Sequence, residues 1–115
     1  MYRFSYSEIL EDAPETGRER EREAFDRALG LLRDVEARGL RGAERTAAVG
    51  LVQDLWNVLI ADLLSPDNAL PEGLRDDLVS IGLWTMREVG EVLSAPERSL
   101  AALIEVNTSI REGLR

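Results

Sequence analysis

Two adjacent acid pairs, Glu11-Asp12 and Asp76-Asp77, are the nearest this sequence comes to a constellation that could do chemistry. Paired carboxylates can bind a hard cation or share acid-base work. Neighbours in a helix project to different sides, however, so neither pair converges on one point, and both read as solvated surface acids. The remaining candidates are few. The chain has no His and no Cys, and all 14 of its basic residues are Arg. Those absences exclude a Ser-His-Asp triad, a Ser-Lys dyad, a Schiff-base or P-loop lysine and an ordinary zinc site. Only carboxylates, Tyr, Ser, Thr and Arg are left to act. The sequence points to no enzyme, no cofactor and no metal.

The same composition bounds the partners. A net charge of −8 opposes binding to phosphate backbones, whose affinity comes from clustered cations, so direct nucleic acid binding is not expected. With 115 residues, 44% of them hydrophobic and 31% charged, the chain reads as a single folded domain over 1–115. At that length a chain buries about two-thirds of the surface it exposes when unfolded. The opening MYRFSYSEILEDAPE mixes aromatics with charges and contains no secretory h-region. No apolar run is read as approaching the ~20 residues that span a bilayer, so a cytoplasmic location away from the membrane is expected. Without cysteine, no disulfide framework is possible and thiol usage says nothing about compartment.

Helical periodicity fills nearly every long segment, and no stretch alternates like a strand. The expected fold is all-α, a small bundle of four to five helices with a short N-terminal arm. Tyr2, Phe4 and Tyr6 belong to that arm, read as extended chain laid over helices, followed by a short helix over Ser7 to Asp12 that Ala13-Pro14 stops. A second helix begins near Thr16 or Gly17 and ends at about Arg38, where GLRG supplies the stop. Its start, REREREAFDR, offers pairs such as Arg18 with Glu21 and Glu23 with Arg27, and reads as a solvated surface. Phe25, Ala28, Leu29, Leu32 and Val35 form its core stripe. A more apolar helix spans about 43 to 64. Val49, Val52, Trp56, Leu59, Ile60 and Leu63 occupy one face of it and Leu51, Leu55 and Val58 widen that face, so it should sit centrally.

The connector SPDNALP follows. Ser65-Pro66 ends one helix, Asp67-Asn68 has turn chemistry, and Pro71 suits the first turn of the next, where its missing N–H is no loss. Pro66, Asn68 and Pro71 are therefore expected to fix the angle between the two helices. The helix after them runs to about Ser94-Ala95 and is closed by Pro96. Leu74, Leu78, Ile81, Val89 and Val92 make one stripe, with Trp84 at its edge, whereas Val79, Leu83 and Met86 lie well round the cylinder. Two apolar faces need two neighbours: either the helix is buried between others, or one face waits for a partner. The last helix, about 97 to 114, places Leu100, Leu103, Ile104, Ile110 and Leu114 on one face, with Asn107 in its middle. An amide among aliphatics must find partners or cost about 1–3 kcal/mol. It either pins helix register inside the bundle or is presented to a bound peptide beside Ile110.

The run LWNVLIADLLSPDNALPEGLRDDLVSIGLWTMREV, followed by LIEVNTSIREGL, resembles the flagellar biosynthesis regulator FlaF family of alphaproteobacteria. The resemblance spans the whole chain. Its specific parts are Trp56, the SPDNALP connector, the segment Ser80 to Trp84 and the terminal LIEVN. It implies a cytoplasmic, non-enzymatic protein that binds flagellin as an export chaperone and promotes flagellin production and secretion, opposite FlbT, which restrains flagellin translation and is a further candidate partner. Flagellin's terminal helices, which form coiled coils only on assembly, would then lie in a groove between the last two helices. That groove would be lined by Val79, Leu83, Trp84, Met86, Asn107, Ile110 and Leu114. Three rivals stand beside this expectation: a post-transcriptional regulator acting with FlbT on flagellin mRNA, a homodimeric helical scaffold, and a carboxylate-only enzyme. Monomer and homodimer are both compatible with the sequence.

Overall fold

The computed structural model describes residues 14–113, and side chains from residue 19 onward. The expected N-terminal arm, with Tyr2, Phe4 and Tyr6, the helix over 7–12, and Leu114 lie outside the described residues. Within them the chain forms four α-helices and no strand: α1 (Pro14–Arg38), α2 (Ala43–Leu63), α3 (Glu72–Ser94) and α4 (Ala101–Glu112). The all-α expectation holds.

Pro14 is the first residue of α1, the position where an absent N–H costs nothing. The helix stops at the expected glycine. Gly39 takes φ 62°, its N–H reaches the Glu36 carbonyl at 3.3 Å, and the Leu40 N–H reaches that of Val35 at 3.0 Å. This pair of bonds is a Schellman closure, which needs a left-handed residue and so favours glycine. After α2, the Ser65 N–H bonds the Asp62 carbonyl at 3.1 Å, and the connector folds on Asn68. That residue is buried; its Nδ2 donates to the Asp62 carbonyl at 3.2 Å and its Oδ1 accepts the Leu70 N–H at 3.0 Å. Asn68, rather than either proline, is the buried clip of the connector, because both prolines are exposed. Pro71 stands one residue before α3, in an extended conformation, and its carbonyl accepts the Arg75 N–H.

The last helix departs from expectation. It starts at Ala101 instead of residue 97, because the polar groups of 95–100 are held elsewhere. Arg45, buried at the start of α2, donates to the carbonyls of Val92 at 2.6 Å and Arg98 at 2.7 Å, with a longer bond to Ala95 at 3.4 Å. Glu36 accepts the Leu100 N–H at 3.0 Å and the Ser99 hydroxyl. Arg98 in turn forks onto the buried Glu88 at 2.8 and 3.0 Å. These bonds fix a turn that a continuous helix could not make.

The helices run up and down. Arg45 at the start of α2 meets the end of α3, and Asp26 midway along α1 meets Arg111 at the end of α4, at 2.7 Å. α2 packs on α1 and α3, α4 packs mainly on α1, and the contact between α3 and α4 is slight. The core runs along this arrangement: Phe25, Ala28, Leu29, Leu32 and Val35 of α1 and Val49, Val52, Trp56, Leu59 and Leu63 of α2 are all buried. Ala48, Val89, Val92, Leu100 and Leu103 complete it. The phenyl ring of Phe25 meets Trp56 edge-on, with centroids 6.1 Å apart and an interplanar angle of 82°. Contrary to the reading of the sequence, α2 is long and apolar enough, by length and composition, to cross a membrane. Its apolar stripe is taken up by the bundle, where it shares the interior with Arg45 and Asp62.

Gly82 sets the closest approach of α3 to α2. A Cβ there would lie 2.8 Å from Trp56 Cε3 and 2.9 Å from Ile60 Cγ1, so only hydrogen fits. The SIGLW segment thus carries its glycine for packing.

Candidate functional site

The slight contact between α3 and α4 leaves an opening where α2 ends, α3 begins and α4 finishes. It is a groove of about 390 Å³. Phe25, Trp56, Leu59 and Leu63 form its floor, Leu74, Leu78 and Ile81 of α3 form one wall, and Ser109, Ile110 and Gly113 form the other. Leu70 of the connector also reaches it. Two carboxylates, Glu21 and Asp77, stand among these apolar groups.

Each wall is positioned by identifiable bonds. The Asn68 clip holds Leu70 and the entry to α3, while Gly82 lets α3 lie directly on Trp56 and Ile60. Asp26 and Arg111, joined by two bonds at 2.7 and 3.1 Å, tie the end of α4 to α1 and so place Ile110. The guanidinium of Arg111 holds the exposed Asp26 carboxyl below the usual carboxylate range. The arrangement offers apolar surface with a thin acidic edge and nothing that activates a nucleophile. Among the described residues no group of three or more acids converges on a metal-sized point.

The structure separates the expected partner-binding residues. Ile110 lines the groove. Asn107 does not: it is 2% exposed, its Oδ1 accepts the Trp56 Nε1–H at 2.6 Å, and its Nδ2 donates to the Leu103 carbonyl at 2.8 Å. It is the register pin of the two readings given above, and its amide faces the interior. Val79 lines a separate shallow hollow with Leu64, Pro66 and Arg75. Leu83 is 52% exposed and away from both openings. Trp84 and Met86 are half-buried against the core. Leu114 lies outside the described residues.

Leu78 and Ile81, expected as core, are half-buried groove walls instead, because the α3 stripe faces packed side chains only in its second half. Sequence reasoning also missed Glu21, Arg45 and Glu88, all buried. Glu21 belongs to the stretch expected as a solvated helix start, yet it is buried. A signal existed: each sits three or four residues before an apolar member of its own stripe, at Phe25, Ala48 and Val92, and so shares the inward face.

Neither a curated protein nor a solved structure matches the chain. The family model for the flagellar protein FlaF matches residues 2–114, which takes in every helix and the whole groove. The chain belongs to the FlaF family and has its role in flagellar biology.

Proposed function

We propose that this protein binds flagellin in the cytoplasm as an export chaperone, receiving an amphipathic flagellin helix on the groove between α3 and α4. The observation that carries this reading is the groove itself, apolar on its floor and on both walls, in a chain that the family places in flagellar biology. Apolar surface left open in a small acidic domain suits a protein that covers the apolar face of another chain's helix. Leucine or isoleucine side chains spaced one turn apart would enter beside Leu78, Ile81 and Ile110. Productive capture would keep flagellin unassembled until export and support its production.

Titration of purified flagellin, full-length and end-truncated, into the protein tests this. One-to-one binding is expected, lost in Leu74→Glu and Ile110→Glu while their melting curves stay near that of the parent. Leu93→Glu, on exposed surface outside the groove, should bind normally. Binding that survives both groove substitutions would move the client elsewhere; a gel shift with flagellin leader RNA in the absence of flagellin binding would favour regulation of the message with FlbT.

A second reading rests on α3's outer face, where Val79, Leu83, Met86 and Leu93 follow helical spacing and Leu83 and Leu93 are exposed. Such a stripe suits self-association. Light scattering that reports a dimer in the parent and a monomer in Leu83→Glu would support the homodimeric scaffold.

A further inference from the structure

We propose that the groove selects its occupant by charge as well as by apolar fit: it takes an amphipathic helix carrying an arginine or lysine beside a leucine or isoleucine seam, and Asp77 is the residue that meets this cation. Leu74, Leu78 and Ile81 follow one another along α3 in the alternating spacing with which one helix seats against another. The same line continues through Thr85, Glu88 and Val92, which the bundle buries, while its first half is the groove wall. A helix is therefore the occupant that extends the packing already present on this side of α3.

The fold already shows how it treats a carboxylate on that side. Asp77 and Glu88 are about three helical turns apart, which sets them within about 20° of each other around α3. Glu88 is buried, and the guanidinium of Arg98 forks onto it at 2.8 and 3.0 Å. Asp77 stands at the corresponding place in the open half, and none of the ion pairs among the described residues involves it. Arg75 lines the separate hollow instead, and Arg111, next to Ile110 of the groove wall, is bonded twice to Asp26. Glu21, buried on the α1 side of the groove, adds a second negative charge to the lining. Hydrocarbon laid over Asp77 would strip water from a carboxylate and return nothing, whereas an arginine or lysine at the flank of the incoming helix would be to Asp77 what Arg98 is to Glu88. Charges that flank an apolar seam also fix which helices pair and in which direction. The charge rule rests on the proposed function in one respect, that a helix occupies the groove; it does not require that helix to be flagellin's.

The test uses the full chain and fluorescein-labelled peptides that share one amphipathic helix with a leucine seam and differ only at the flanking positions, which are Lys, Gln or Glu. By anisotropy at low salt, the Lys peptide should bind about tenfold tighter than the Glu peptide, with the Gln peptide between them. The gap should narrow at high salt, as exposed charges are screened. Asp77 is exposed, so Asp77→Asn and Asp77→Lys should melt like the parent; the first should shrink the gap and the second invert the order. Glu91→Lys makes the same change of net charge on exposed α3 surface outside the groove and should leave the order as it is. Equal binding of the Lys and Glu peptides, or a preference for Lys that Asp77→Lys leaves unmoved, overturns the proposal. Flagellin titration separates the charge rule from the proposed function. Flagellin binding that Leu74→Glu abolishes and Asp77→Lys leaves unchanged keeps the client in the groove and overturns the rule. A peptide preference that Asp77→Lys inverts, in a protein that does not bind flagellin, upholds the rule and removes flagellin as the client. Where the parent binds none of the peptides, a severalfold loss of flagellin binding in Asp77→Lys upholds the rule, and unchanged or absent flagellin binding overturns it.

Discussion

The indole Nε1 of Trp56 donates to Oδ1 of Asn107 at 2.6 Å, joining residues 51 positions apart in sequence deep inside the bundle. Both side chains are about 1–2% exposed, so neither can turn to water if the other is lost. Asn107→Leu should therefore destabilise by about 1–3 kcal/mol, the cost of stranding a buried donor. A denaturant melt followed by tryptophan emission checks this; a stabilised variant would mean that the bond contributes nothing net.

Gly82→Ala should destabilise by a similar amount, about 1–3 kcal/mol, as overpacking against Trp56 and Ile60 pushes α3 away from α2. Gly90→Ala makes the control. It lies in the same helix with open space around it, and there alanine should gain about 0.5–1 kcal/mol through helix propensity. Opposite shifts in melting temperature are the expected result.

Arg45→Met should be more harmful than any surface arginine replacement. It keeps most of the apolar stem but removes the donor from the carbonyls at the end of α3, at about 1–3 kcal/mol for each group left buried and unpaired. Arg45→Lys should recover only part, because an ammonium cannot fork to acceptors on both sides of the turn. Chemical denaturation of the three proteins gives the order.

Acid should loosen the turn before α4. The Ser99 hydroxyl, and then the Leu100 N–H, hold the Glu36 carboxyl below the usual glutamate range. A depressed folded value means that the contribution is present above the ordinary glutamate pKa near 4.3 and lost as pH falls through the folded one. Glu36→Gln should lower stability at neutral pH and flatten the decline between about pH 5 and pH 3. A parent and variant that decline in parallel would place the acid sensitivity elsewhere.

Much of this architecture is legible from spacing alone. The stripe from Phe25 to Val35 and that from Val49 to Leu63, apart from the half-buried Ile60, are buried as their periodicity implies, and Gly39, the connector and Pro96 end helices where their backbone preferences say they must. What spacing cannot convey is whether an inward face meets another side chain. Leu78 and Val89 lie on the same stripe, yet one borders the groove and the other is sealed within the core. Buried charge is hidden for a related reason. Arg45 and Glu88 look like surface residues by type, and only the tertiary fold brings carbonyls to the first and Arg98 to the second. Asn107 is the intermediate case, since its position announced burial but its partner, half a chain away, did not.

The clamp at one end of the bundle and the gap at the other give α3 two mechanically different halves. Near Val92, any excursion must break the bonds to Arg45 and strain the ion pair of Glu88 with Arg98. Near Leu74 and Leu78, the inner face borders open space. Amide protons in the first turns of α3 should therefore exchange through small local openings, while those around Val89 to Val92 should wait for global unfolding. A guest can then enter and leave by shifting a few side chains, with turnover set by breathing of one helix end and not by the lifetime of the folded state.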